Sequence, residues 1–151
     1  MPSALPRVAL VALLTLGLAA CSSAGGLSPG LSQRMDMPGA QLNRADALGI
    51  VNQYRSSTGG SALADDPALD AQAQTLAAQY MSSGKQPAKP AGAIDIRYSA
   101  GYFTFAETFS GWRNSPADAA ALTNRSATRA GVAVVSSGNS AYGVYWVLIL
   151  G

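Results

Sequence analysis

The chain contains no histidine and a single cysteine, Cys21. Those two counts bound its chemistry. Imidazole is the usual general base near neutral pH, so Ser-His-Asp and Cys-His catalysis are excluded, as are most zinc sites. One thiol cannot close a disulfide within the chain, which leaves the fold to packing alone. What remains for chemistry is the Cys21 thiol and eight carboxylates. Three of those carboxylates have local structural roles in the sequence. Glu107 follows Thr104 by three positions, a Thr-x-x-Glu capping box. Asp118 falls in the first turn of a helix started by Ser115 and Pro116, where a negative charge faces the helix dipole. Asp95 alternates outward in an extended run and can pair with Arg97 or Arg113. No nucleophile stands beside a base anywhere in the chain.

The thiol has a clearer context. Residues 1–20 carry one early positive charge, Arg7, and then a short apolar run over 8–18. Such a run reads as a secretory signal, because a membrane span needs about 20 apolar residues. It closes on Leu18-Ala19-Ala20-Cys21, which resembles the bacterial lipobox. The expectation is cleavage before Cys21 and acylation of its thiol, with Ser22 after it resembling the outer-membrane sorting class of a Gram-negative host. Several acyl chains, at about 0.8 kcal/mol per buried methylene, exceed the two-signal threshold for stable anchoring.

Composition adds little more. Ten basic and eight acidic side chains give a net charge of +2, and no cluster of Lys and Arg exists beyond Lys85 and Lys89, so nucleic acid is not an expected partner. At 151 residues the chain holds at most one domain with tails.

The elements that must position these groups follow from caps and periodicity. Residues 21–43 read as the lipidated Cys and a flexible tether rich in Ser, Gly, Pro and Gln, with an end-to-end distance of roughly 25 Å. Leu27, Leu31 and Met35 share a helical spacing, but Pro29 and Gly30 argue against a helix there. Asn43 caps a helix to about residue 57, with Ala47, Ile50, Val51 and Tyr54 on one face. Asp66 and Pro67 start a second helix, which Gly84 closes. Residues 94–98 alternate as a strand. Thr104 starts a helix whose Phe105, Phe109 and Trp112 line one face, and Pro116 begins another. Two strands, at 131–135 and 143–150, form a hairpin. The second is apolar on both faces, as a central strand covered by helices on each side must be. The predicted fold is α/β, an α-β-α sandwich with a small antiparallel sheet between helices.

Three signatures in this order resemble the CAP (SCP-like) domain of cysteine-rich secretory, antigen 5 and pathogenesis-related 1 proteins. The first is Val51-Asn52-Gln53-Tyr54-Arg55 with Gly60, Leu63, Asp66, Leu69, Ala73, Ala77 and Met81. The second is Ala100-Gly101-Tyr102, then Phe109-Ser110-Gly111-Trp112 and Ser115-Pro116. The third is Ala130-Gly131-Val132-Ala133-Val134 with Tyr142-Gly143-Val144-Tyr145-Trp146. The resemblance implies a CAP-like domain over 44–151. It also implies a cavity that in other members carries two His and two acidic residues, some of which bind a divalent metal. Here the first His position falls near Ala88 in the loop 86–90, the main Glu position on Ile96, and the His after Ser-Pro-x on Asp118. This is a degenerate member, and no metal or cofactor is expected.

If the family fold holds, Asp95, Tyr98, Tyr102, Glu107 and Asp118 can share one cleft. The leading expectation is a lipid-anchored, non-catalytic cell-envelope protein that acts by binding or as a scaffold. Its partners would be the membrane, through Cys21, and an unknown protein, glycan or lipid ligand. Tyr98, Tyr102 and Tyr142 can line a groove for a peptide, glycan or lipid. One alternative is a protein that binds lipid or a small hydrophobic molecule, as the resemblance to some family members implies. The other is a metal-dependent hydrolase built on Asp95, Glu107 and Asp118, since carboxylates suit magnesium or calcium. The expected location is exported and lipid-anchored, at the outer membrane facing the periplasm.

Overall fold

The computed structural model describes residues 26–151; the expected signal segment 1–20, Cys21 and the residues just after it lie outside the described residues. Strand β4 (Val144–Leu150) is the centre of the molecule, and all seven of its residues are buried. On one side it pairs antiparallel with β3 (Arg129–Ser136) and on the other with β2 (Asp95–Ala100). A two-residue strand, β1 (Ala64–Asp65), adds to β3 in parallel, so the order is β1-β3-β4-β2. The sheet is therefore antiparallel, as the sequence predicts, except at this edge. Two residues are too few to show an alternation in sequence.

The period-2 alternation of β4 divides the core. Val144, Trp146, Leu148 and Leu150 face a layer with Phe105, Phe109, Trp112, Val51 and Leu122. Val147 and Ile149 face the opposite way, onto Ala73, Leu76 and Ala77. The first layer holds α2 (Arg44–Ser57), α4 (Phe105–Asn114) and α5 (Pro116–Leu122), and the second holds α3 (Pro67–Ser83). This is the predicted α-β-α sandwich. The caps also form as read: Asn43 accepts from the Asp46 amide, Asp66 from Ala68 and Leu69, and Thr104 and Glu107 cap each other. Gly84 ends α3 at φ 68°, a left-handed position that favours glycine.

Gly131 sets how closely α3 approaches the sheet. A β-carbon there would lie 2.2 Å from the Leu69 carbonyl carbon and 2.3 Å from the Asp70 nitrogen, so any side chain would push the helix off β3. Beyond Ala130 the same edge of β3 has no strand beside it, and charged side chains satisfy it instead. The Val132 amide donates to Asp70 Oδ1 at 2.8 Å, and Arg44 Nε donates to the Val132 carbonyl at 3.2 Å. Burial pushes the Asp70 carboxyl above its usual range, offset by that amide and by Arg44.

The tether read over 21–43 is corrected from Ser28 onward. Residues Pro29–Ser32 form a short helix, α1, and Leu31 and Met35 are each 5% exposed within the α2/α4 layer. Ser28 Oγ donates to the Asp46 carboxylate, the Met35 amide donates to the Phe103 carbonyl at 2.8 Å, and the Arg34 guanidinium lies 4.4 Å from the centre of the Phe103 ring. Pro29 does not break this helix because it stands at the first position, where no amide proton is needed.

Arg55 joins the parts. It is fully buried, and its guanidinium donates to four main-chain carbonyls: Ser61 at 2.8 Å, Leu122 at 2.7 Å, Asn124 at 3.0 Å and Ala127 at 3.2 Å. Arg55→Ala leaves the Ser61, Leu122 and Ala127 carbonyls without their donor beside a void, while Asn124 keeps the Ala127 amide, and is expected to cost at least about 3 kcal/mol, with Arg55→Lys intermediate. Urea unfolding measures this; a cost under about 1 kcal/mol would show that water replaces the guanidinium.

Asp66 predicts a pH dependence. Amides of Ala68 and Leu69, together with Arg129, hold its carboxyl below the ordinary 3.8. A lowered carboxyl stabilises the fold above 3.8, and that contribution is lost as pH falls through the folded value. Asp66→Asn keeps the cap and removes the titration. Denaturation from neutral pH downward should therefore show a shallower acid loss in the variant, and parallel curves would contradict this.

Candidate functional site

The alternation of β2 decides which predicted site residues meet. Asp95 and Arg97 point into the layer of α4 and α5, while Ile96 and Tyr98 point toward α3. Tyr98 is thus apart from Asp95 and Asp118. Its hydroxyl donates to the Pro87 carbonyl at 2.9 Å, its ring meets Tyr80 edge-on at 5.6 Å, and burial pushes its phenol up. Ile96, the position matched to the family Glu, is 8% exposed in the α3 layer. The side chain that faces Asp118 from this strand is its neighbour, Arg97. Successive residues of a strand point to opposite faces, so Ile96 cannot meet Asp118 while Arg97 does.

Arg97 binds both carboxylates. Its Nη2 lies 2.7 Å from Asp95 Oδ1 and its Nη1 2.8 Å from Asp118 Oδ1, with all three side chains between 21% and 29% exposed. The third nitrogen, Nε, is buried with no partner among the described residues. The cluster carries two negative charges and one positive, and the positive charge is supplied by the chain itself. Carboxylates held this way accept hydrogen bonds and have no base or nucleophile beside them to activate.

Glu107 has a different set of partners. Its Oε2 accepts from the amides of Phe103 (3.1 Å) and Thr104 (3.0 Å) and from the Thr104 hydroxyl (2.9 Å). It lies with Tyr102 in an open groove of about 590 Å³ along the outer face of α4, lined also by Ala106, Ser110, Gly111, Asn114 and Ser115. The Tyr102 ring is 44% exposed. It rests on Gly111, where a β-carbon would lie 3.0 Å from the ring edge. The Tyr102 carbonyl accepts from Trp146 Nε1 at 2.9 Å, and the Tyr98 carbonyl accepts from Trp112 Nε1 at the same distance. Two buried indoles therefore fix the segment that presents Tyr102.

The five residues proposed for one cleft thus fall into three places: Asp95 with Asp118 through Arg97, Tyr102 with Glu107 on α4, and Tyr98 on the α3 face. Among the described residues, no group of three His, Cys, Asp or Glu side chains is placed to hold a metal ion. Reading the sequence singled out neither Arg97 as a bridge nor Ser110 and Asn114 as lining. Ser110 and Asn114 stand at i, i+4 on the helix and flank the same face as Glu107, a spacing the sequence does display.

Arg97→Ala removes the cation between two acids and is expected to cost about 1–2 kcal/mol. Adding Asp118→Asn should recover part of that loss, because it removes the repulsion left behind. A double-mutant cycle by urea denaturation reads the coupling; additive losses would show that the two contacts are independent.

The comparisons with known proteins bear on this fold. Residues 48–150 match the model of the CAP family, described as the cysteine-rich secretory protein family. Among solved structures, MpPR-1i superposes with a TM-score of 0.59 at 16% identity, covering 71% of this chain and 88% of its own. An outer surface protein from Borrelia burgdorferi gives 0.52 at 15% identity, covering 75% of this chain and 97% of its own. An extracellular protein from Bacillus anthracis that contains an SCP domain gives 0.58 at 18% identity, covering 69% of this chain but 38% of its own. Curated proteins give no match. With the match spanning both core layers and all of β2, β3 and β4, the chain belongs to the CAP family of cysteine-rich secretory proteins.

Proposed function

We propose that this protein is an exported lipoprotein, anchored through Cys21, whose CAP domain binds a ligand and performs no hydrolysis. The observation that carries the non-catalytic reading is the Arg97 bridge. The two acids nearest the family cavity, Asp95 and Asp118, are bound to a guanidinium of the same chain, and Glu107 caps a helix. With no histidine in the sequence, no imidazole is available to activate water. The lipobox-like sequence at Cys21 supports the anchor and Ser22 an outer-membrane address facing the periplasm. Among the described residues no helix is long and apolar enough to cross a membrane. The Borrelia and Bacillus relatives are described as outer surface and extracellular proteins, which is consistent with export.

The ligand surface is the Tyr102 groove. An exposed aromatic ring beside a carboxylate, an amide and hydroxyls offers an apolar face together with hydrogen-bond partners, the combination that takes a sugar ring. The reading is therefore a glycan-binding module of the envelope. A second reading, binding of a small hydrophobic molecule, is favoured by a groove of about 670 Å³ at the β3–β4 turn. Met35, Met37, Phe103 and Tyr142 line it, and Met37 and Tyr142 are more than half exposed.

The test is a titration of the mature lipoprotein in detergent with cell-wall oligosaccharides, followed by tyrosine and tryptophan fluorescence. Saturable binding that weakens roughly two- to tenfold in Tyr102→Ala and is unchanged in Tyr142→Ala is the expected result. Loss in Tyr142→Ala alone, with lipid co-purifying, would replace it with the second reading. Hydrolysis of the oligosaccharide, abolished by Asp118→Ala, would overturn the non-catalytic assignment.

A further inference from the structure

The corrected tether changes how the domain must sit on its membrane. Ser28 is fixed by Asp46, and Gly30 lies so close to α2 that a β-carbon would overlap Asp46 Oδ2 at 2.2 Å. Leu31 and Met35 are core residues. The chain is therefore part of the domain from Ser28 onward, and only the seven steps from Cys21 to Ser28 remain to reach an acyl anchor. Seven steps span at most about 25 Å. A domain of this size has a radius of gyration near 14 Å and is roughly 35 Å across. A leash shorter than the body it holds does not let the body turn over.

The surface around Leu27 is suited to what it would meet. Leu27 is 56% exposed and stands between two shallow depressions of the α2 surface, of about 290 and 440 Å³. Ile50, Gln53, Tyr54, Phe109 and Arg113 line the second with it. Arg113 is exposed and has no carboxylate partner among the described residues, and its guanidinium lies 5.8 Å from the Phe109 ring centre. Arg125, also without an ion-pair partner among them, reaches Gly59 just past the end of α2. The one acid at the first depression, Asp46, already accepts from the Ser28 hydroxyl. An apolar side chain, a tyrosine and the Arg113 cation on one face suit the headgroup layer of an anionic bilayer.

We infer that the seam between α2 and α4 around Leu27 rests on the membrane that holds Cys21, with the α3 layer turned to the aqueous side. This deepens the lipoprotein reading and rests on it. The occupant is the bilayer surface itself, because the leash ends there. The Tyr102–Glu107 groove lies on the other flank of α4, beside this contact and open to solution.

The experiment uses the full mature lipoprotein in vesicles of phosphatidylethanolamine and phosphatidylglycerol. With Cys21 acylated, a cysteine introduced at Gln53 on the proposed contact, or at Gln79 on exposed α3, is the sole free thiol for a fluorescent label. Headgroup-nitroxide lipid should quench the Gln53→Cys label several-fold more than the Gln79→Cys label. Inserting a long Gly/Ser stretch between Ser23 and Ala24 should bring the two labels toward equality. The intact mass reports the acyl groups on Cys21 in the same samples. Equal quenching on an acylated protein overturns the orientation and leaves the anchor standing. A mass without acyl groups overturns the anchor and the orientation with it.

Discussion

A buried positive charge with no counter-ion among the described residues is the constraint on which the rest of the fold depends. Arg55 extends from the last turn of α2 into a pocket of main-chain carbonyls from the turn after α2, the end of α5 and the loop into β3. Burial pushes its guanidinium down, but an arginine stays charged, so four carbonyls must replace its water. Those carbonyls belong to segments that have no helix or strand partner of their own at these positions. One side chain thereby sets where α5 ends and where β3 begins.

The candidate site follows the same logic with smaller charges. Arg97 reaches two acids from two elements and closes the space between β2 and α5. Glu107 turns back to satisfy the start of α4. In each case a carboxylate expected at a shared cleft is used to hold structure. The surface left open is the aromatic and hydroxyl-lined face of α4, which presents contacts and no reactive group. Such a surface is consistent with the binding role proposed above.

The parts legible in sequence were those whose causes are local. Asn43, Asp66, Thr104 and Gly84 act within four residues, and the structure places them as their caps require. The central strand was legible from seven apolar residues in a row. Contacts made across the chain were not. Arg55 finds its farther partners 67 to 72 positions away, and Arg97 reaches Asp118 across 21. The segment at Pro29 was read as a break because its partners, Asp46 and Phe103, lie in other elements. The single cleft proposed for five residues depended on strand parity. One residue of register sends Tyr98 to the α3 face and brings Arg97 to the acids.

The most direct test of the central claim, that Arg97 supplies the positive charge between Asp95 and Asp118, is the thermal unfolding of the mature chain in EDTA and then in magnesium, calcium, manganese and zinc. A ligand bound only by the folded state at a hundred times its dissociation constant adds about 2.7 kcal/mol, a shift of several degrees at this size. The account predicts superimposable curves in every ion. A stabilisation that appears with one ion and disappears in Asp118→Ala would contradict it and return the carboxylates to a metal site.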